Sequence, residues 1–238
     1  MSLCIDLQTL GTPRTLLLRD LRLQIAAGCV HTLMGPSGSG KSSLLAAVCG
    51  TLDEGMRWQG SVQLDGRSLD RLPPQARRIG ILFQDDLLFG HMTVRENLLF
   101  ALPAGPAPAR EQTVRQALRD IELDDLADAD PATLSGGQRS RVALMRALLA
   151  QPRALMLDEP FSKLDASLRQ RMRELVFGQV RRRRIPALLV THDEADVADP
   201  RLHDPARHTG AGPCLTAGPP ACYAQRSRGG PSGWCASA

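Results

Sequence analysis

The clearest pattern is a set of short apolar runs, each stopping at a polar or glycine-rich break. "CVHTLM" (29–34), "IGILF" (79–83), "ALMLD" (154–158) and "ALLVT" (187–191) read as buried strands. Residues 16–25, "LLLRDLRLQI", instead alternate Leu21, Leu23 and Ile25 with polar neighbours, which predicts a half-buried strand. Between the runs lie segments of helical pattern at 41–49, 93–102, 111–123, 139–150 and 166–180. Gly50 is placed to end the first, and Thr93 with Glu96 has capping-box spacing at the start of the second. Asp65-Gly66 within 61–69 signals a turn, and "PAGPAPAR" (103–110) reads as a flexible break. Buried strands alternating with helices imply an α/β protein whose parallel sheet is covered on both faces. A helical insert of roughly residues 86–133 divides it into two halves.

From Pro200 onward the periods of 2 and 3.6 disappear. Residues 200–238 are rich in Pro, Gly, Ala and Arg, and are expected to be disordered. Cys214, Cys222 and Cys235 lie there without close metal-ligand spacing, while Cys4, Cys29 and Cys49 sit singly in apolar surroundings as small core residues. Neither a metal site nor a disulfide frame is expected from them. Arg181–Arg184 follows a helical segment and reads as a cationic C-terminal cap.

Composition narrows the class. The 238 residues bound the chain to one or two domains, and 43% hydrophobic content supports a core. The net charge of +4 is too small to point to nucleic acid. No apolar run approaches membrane-spanning length, and "MSLCIDLQTL" has no signal-peptide layout, so a cytosolic location is expected.

Two glycine-rich segments carry the chemistry. "GPSGSGKS" fits G-x-x-x-x-G-K-S, with Gly35, Pro36, Ser37, Gly38, Ser39, Gly40, Lys41, Ser42 and the following Ser43 leading from a buried strand into a helix. Glycines let the backbone turn its N–H groups toward a phosphate, and the helix start adds its positive dipole end. In that motif the lysine reaches the β and γ phosphates of a nucleotide and the Ser42 hydroxyl serves Mg²⁺. Asp158 ends an apolar strand, where it can hold Mg²⁺ through water. Glu159, one step on, is aimed at an attacking water. The second segment, "LSGGQ" (134–138), opens another helix: Ser135 and Gln138 have capping-box spacing around Gly136 and Gly137.

Taken in order, "GPSGSGKS", "LFQDDLLFGHMTVRENL" (82–98), "LSGGQ", "ALMLDEP", "SKLD" (162–165) and "VTHDEADV" (190–197) resemble the motifs of the ATPase subunit of ABC transporters, over about residues 16–199. The resemblance implies a P-loop NTPase fold with a mainly parallel core sheet, an N-terminal antiparallel β subdomain and a helical subdomain. Residues 1–85 and 134–199 would form the ATP-binding core and 86–133 the helical insert. It implies ATP and Mg²⁺ as cofactors. Lys41 and the 35–43 loop would bind phosphate; Ser42, Gln84 and Asp158 would serve the metal. Glu159 would be the general base, with His192 at the γ-phosphate. It also implies a head-to-tail pair of subunits in which Ser135, Gly136, Gly137 and Gln138 complete the partner's ATP site and Asp165 links the two sites.

The wording of 82–98 leans toward bacterial importers. The implied partners are a second copy, membrane permease subunits received by the helical insert, and an extracytoplasmic solute-binding protein. The implied location is peripheral, on the inner face of the cell membrane. Two other readings stand beside it: a soluble ATPase of the same superfamily, and a hydrolysis-impaired nucleotide-binding regulator. The family's adenine-stacking aromatic is missing. No Phe, Trp or Tyr precedes Trp58, and the expected position falls at Gly11–Thr15.

Overall fold

The computed structural model describes residues 1–197. The tail expected to be disordered, with its three cysteines, His203 and His208, lies outside the described residues. The chain builds two four-stranded sheets. The antiparallel one contains β1 (Ser2–Gly11), β2 (Leu16–Ala26), β4 (Arg57–Leu64) and β5 (Arg67–Ser68), in the order β2-β1-β4-β5. The parallel one contains β3 (Val30–Met34), β6 (Ile79–Leu82), β7 (Ala154–Asp158) and β8 (Ala187–Thr191), in the order β3-β8-β7-β6. The helices are α1 (Lys41–Cys49), the single turn α2 (Pro74–Arg77), α3 (Val94–Ala101), α4 (Ala107–Asp120), α5 (Gly136–Leu149) and α6 (Ala166–Arg183).

Side-chain alternation makes the parallel sheet the wall between two cores. Ala154 and Met156 of β7, with Leu188 and Val190 of β8, pack toward α1 and the antiparallel sheet. Leu155 and Leu157, with Ala187 and Leu189, face the other way, toward α3, α4, α5 and α6. A strand buried on both faces must be apolar at every position, which is why "ALMLD" and "ALLVT" are legible as continuous runs. The run at 79–83 differs. β6 is one of the sheet's two edge strands, and three of its four residues are only half buried, against the expectation of a buried strand.

Three further points depart from the sequence reading. β1 is not among the predicted strands, although Leu3, Ile5 and Leu7 alternate inward and pair along β2 and β4. α4 begins at Ala107, inside the predicted break, because prolines are accommodated at its cap and first turn. Cys49 is buried, but Cys4 and Cys29 are only half buried. The turn signals correspond to real turns: Asp65 (φ 53°) and Gly66 (φ 74°) both adopt the left-handed conformation that a two-residue hairpin needs. Gly50 (φ 80°) ends α1, assisted by Arg77, which donates to the Ala47 and Val48 carbonyls at 3.1 and 2.8 Å. Arg181, Arg182 and Arg183 fill the last turn of α6.

Candidate functional site

Four parallel strands end on one edge of their sheet, and each delivers a different motif there. Met34 of β3 pairs with Thr191 of β8, Asp158 of β7 with Val190, and Leu82 of β6 with Leu157. The glycine loop, His192, the Asp158–Glu159 pair and Gln84 therefore emerge side by side, at the carboxyl edge where open α/β sheets place their ligands.

The loop from Gly35 turns through Gly38 (φ 78°) and Gly40 (φ 88°) into α1. That left-handed start is what points successive N–H groups into one concavity. Lys41 is buried, and its Nζ donates to the carbonyls of Gly35 (2.8 Å) and Pro36 (2.7 Å) and to Ser39 Oγ (3.3 Å). Burial lowers its pKa, against the opposing pull of Glu159 and Asp158. Asp158 is buried too. Desolvation raises its pKa, while a hydrogen bond with Ser42 lowers it. A hydroxyl and a carboxylate held together beside an ammonium form an oxygen donor set suited to a hard divalent cation that keeps several waters.

Glu159 occupies the left-handed region at φ 49°, with its N–H donated to Val190 O (2.9 Å). This turn carries its side chain to His192, whose Nδ1 lies 2.7 Å from Glu159 Oε1. The contact raises the His192 pKa, chiefly through the hydrogen bond. His192 itself is 68% exposed. Thr191 Oγ1 lies 3.4 Å from Glu159 Oε2 and 3.3 Å from Asp196 Oδ2 of a wholly buried aspartate. Neither residue is singled out by sequence reasoning; only their place beside "TH" marks them. The structure thus brings Lys41, Ser42, Asp158, Glu159 and His192 together.

The second glycine segment is built separately. Ser135 Oγ accepts from Gln138 N (3.2 Å), and Gln138 Oε1 accepts from Ser135 N (2.7 Å), closing the expected capping box. Gly136 faces open space, whereas a Cβ on Gly137 would stand 3.0 Å from the Lys163 carbonyl oxygen. A side chain at Gly137 would therefore press on the backbone of its own chain. Asp165 likewise acts locally, capping α6 by accepting from Leu168 N (3.0 Å) and Ser167 Oγ (2.8 Å). Those bonds hold its pKa low. Gln84 is held by its carbonyl, which accepts from Lys163 Nζ at 3.0 Å.

Beside the glycine loop, the β1–β2 turn carries no aromatic ring. Thr12 closes it by accepting from Thr15 N (3.0 Å); Leu16 is 54% exposed and Leu17 packs against Gly40. On another face, Leu82, Phe83, Leu87, Phe89, Phe100 and Arg146 line a cleft of ≈ 240 Å³. Leu87 and Phe100 are exposed there, and the Arg146 guanidinium lies 5.2 Å over the Phe89 ring.

Comparison with known proteins bears on the family and the fold. Residues 18–162 match the family model described as ABC transporter. The chain is 49% identical over 207 residues to the uncharacterized ABC transporter ATP-binding protein YnjD of Escherichia coli (strain K12), covering 86% of this chain and 95% of the relative. It is 39% identical over 192 residues to the sulfate/thiosulfate import ATP-binding protein CysA of Salmonella typhi, covering 78% of this chain. It spans only 52% of that relative's length. Among solved structures, the dimeric post-hydrolysis state of the ATP-binding cassette MJ0796 bound to ADP and Pi superposes with a TM-score of 0.72 at 28% identity. That match covers 82% of this chain and 90% of the cassette.

Proposed function

This chain belongs to the ABC transporter family and is an ATP-binding ATPase of the P-loop NTPase fold, and from that premise we propose that it powers solute import by pairing head to tail with a second copy on binding ATP. The observation that carries the proposal is the separation of two phosphate-type elements. One edge gathers Lys41, Ser42, Asp158, Glu159 and His192. The Ser135–Gln138 helix start closes its own capping box, with no hydrogen bond to any of those five among the described residues. A formed helix N-terminus with an open glycine face at Gly136 suits a phosphate brought by another subunit.

Within one site, the 35–43 backbone and Lys41 hold the phosphates. Lys41 leaves the carbonyls it now meets for the charge of the terminal phosphate. Ser42, Asp158 and Gln84 would hold Mg²⁺, which would supply positive charge against that developing on the phosphate oxygens. Glu159 orients a water and takes its proton at a carboxylate oxygen. His192, tied to Glu159, would hold that carboxylate and contact the terminal phosphate. Asp165, at the cap of α6, would link the two sites across the pair. The relatives' names and the dimeric cassette support this reading by likeness.

We take residues 1–85 and 134–199 as the ATP-binding core and 86–133 as the helical subdomain. A cytoplasmic helix of a membrane permease would dock in the cleft lined by Leu87, Phe89 and Phe100. This places the protein on the inner face of the membrane, and no helix among the described residues is long and apolar enough to cross it. An extracytoplasmic solute-binding protein would supply the solute, and nucleic acid has no part.

The test is to mix two inactive variants. Lys41→Ala lacks the phosphate lysine and Ser135→Arg blocks the helix start. If the sites are shared, the mixture forms heterodimers with one intact composite site and regains ATP turnover. Continued inactivity of the mixture would place the whole site within one chain.

A further inference from the structure

One carboxylate, away from the reacting groups, holds three of the motif segments at once. Asp86 lies two residues beyond Gln84, with its side chain only 11% exposed. Lys163 Nζ donates to both of its oxygens, at 3.2 and 3.1 Å, and also to the Gln84 carbonyl at 3.0 Å. Arg139 Nε stands 3.6 Å from Asp86 Oδ2 and, through Nη1, donates to the Leu134 carbonyl at 2.5 Å. Lys163 belongs to the "SKLD" turn that leads to Asp165, and Arg139 to the first turn of α5 behind Ser135–Gln138.

The backbone of Lys163 also lies close to the "LSGGQ" turn. The Lys163 carbonyl oxygen abuts Gly137 so closely that a Cβ there would stand 3.0 Å away. Lys163 thus has its amine bonded to the Gln84 loop and its backbone carbonyl lying close beside the "LSGGQ" turn. Asp86 also lines the cleft with Leu87, Phe89 and Phe100, and its own carbonyl accepts from Arg146 Nη2 at 3.4 Å. An isolated exposed ion pair would hold little, but a carboxylate shielded from water and shared by two cations from different elements restrains all three.

We propose that Asp86 is a positioning residue for ATP turnover: through Lys163 and Arg139 it makes the Gln84 loop, the turn before Asp165 and the Ser135–Gln138 helix start move as one unit. It is not among the groups assigned above to the nucleotide or the attacking water. Its effect is that a load placed in the cleft reaches both faces that a second subunit reads. Without it the three segments keep their own folds, since the capping boxes and the α6 cap are independent of it, but lose their mutual registration. Correct registration is needed only at the transition state, so the loss falls on kcat rather than on KM.

The inference rests on the paired-subunit reading above, and the two fail separately. Steady-state ATP hydrolysis by the full chain is measured with melting temperature and KM for ATP. Asp86→Asn lowers kcat by about tenfold with KM within about twofold and melting unchanged, and Asp86→Glu restores most of the rate. Lys163→Met falls by a similar factor, and the double variant is no slower than the slower single, because both changes break one link. An unchanged kcat in Asp86→Asn, or factors that multiply in the double variant, would overturn the inference. Should Asp86→Asn fail to fold, Lys163→Met and Arg139→Gln carry the same prediction on kcat. A failure of the paired-subunit reading shows elsewhere, as absent ATP-dependent dimerisation in a chain whose Asp86 is intact.

Discussion

Glu159 is held where few non-glycine residues sit, with φ at 49°, and the turn it makes brings its carboxylate to His192. Removing that carboxylate while keeping its shape, as in Glu159→Gln, is expected to lower turnover by about 10²-fold or more and to leave nucleotide binding intact. Lys41→Ala is expected to lose both, since the amine serves the phosphates before and during reaction. The His192–Glu159 contact has a sign that can be checked. Its folded pKa is raised above the ordinary value of 6.5. The pairing therefore stabilises the fold fully below about pH 6.5 and ceases to do so as pH rises through the higher folded value. The melting difference between the wild type and His192→Ala should shrink between pH 6 and pH 9, measured by thermal denaturation. A difference that grows with pH contradicts the pairing. Lys41, Asp158, Glu159 and His192 can all be found in the sequence because each follows an apolar run in fixed order. Thr191, Asp196 and Asp86 cannot, since their roles come from contacts between segments far apart in the chain.

At the scale of elements, the glycines of α5 separate two demands. Gly136 faces open space and Gly137 faces the Lys163 carbonyl. Gly136→Ala should leave the melting temperature no lower, because alanine favours the helix. Gly137→Ala should destabilise the chain by roughly 1–3 kcal/mol, because a backbone atom must give way. Denaturant unfolding of both variants distinguishes them, and equal stability would mean that Gly137 serves only the nucleotide. The capping boxes at Thr93 and Ser135 are legible because a cap is a local device of four residues. β1 and the start of α4 are not. β1 draws its definition from pairing with β2 and β4, and α4 begins among prolines that usually mark a break but fit the opening turn of a helix. β6 reads as buried because its composition is apolar, while its place at the sheet edge is a property of topology.

At the scale of the whole molecule, the parallel strand order brings four of the six motifs to one edge, and the other two form the starts of α5 and α6. Base recognition should be the weak part of that assembly. The turn at Gly11–Thr15 offers an exposed Leu16 and no ring. Loss of one base–aromatic stack costs about 1–3 kcal/mol, roughly 5- to 150-fold in affinity. Competition binding should therefore show little preference among ATP, GTP and CTP, and a strong preference for ATP would mean that another group holds the base. Asp86, which lines the cleft at Phe89 and Phe100, is tied to Lys163 and Arg139, and on the proposal above this is how a membrane partner would act on the pairing of subunits.

That pairing is the central claim, and sedimentation of the full chain carrying Glu159→Gln measures it most directly. The account predicts a monomer without nucleotide, a dimer with Mg-ATP, and a return to monomer when Ser135→Arg is added. A folded monomer at saturating Mg-ATP, or a dimer indifferent to Ser135→Arg, would contradict it.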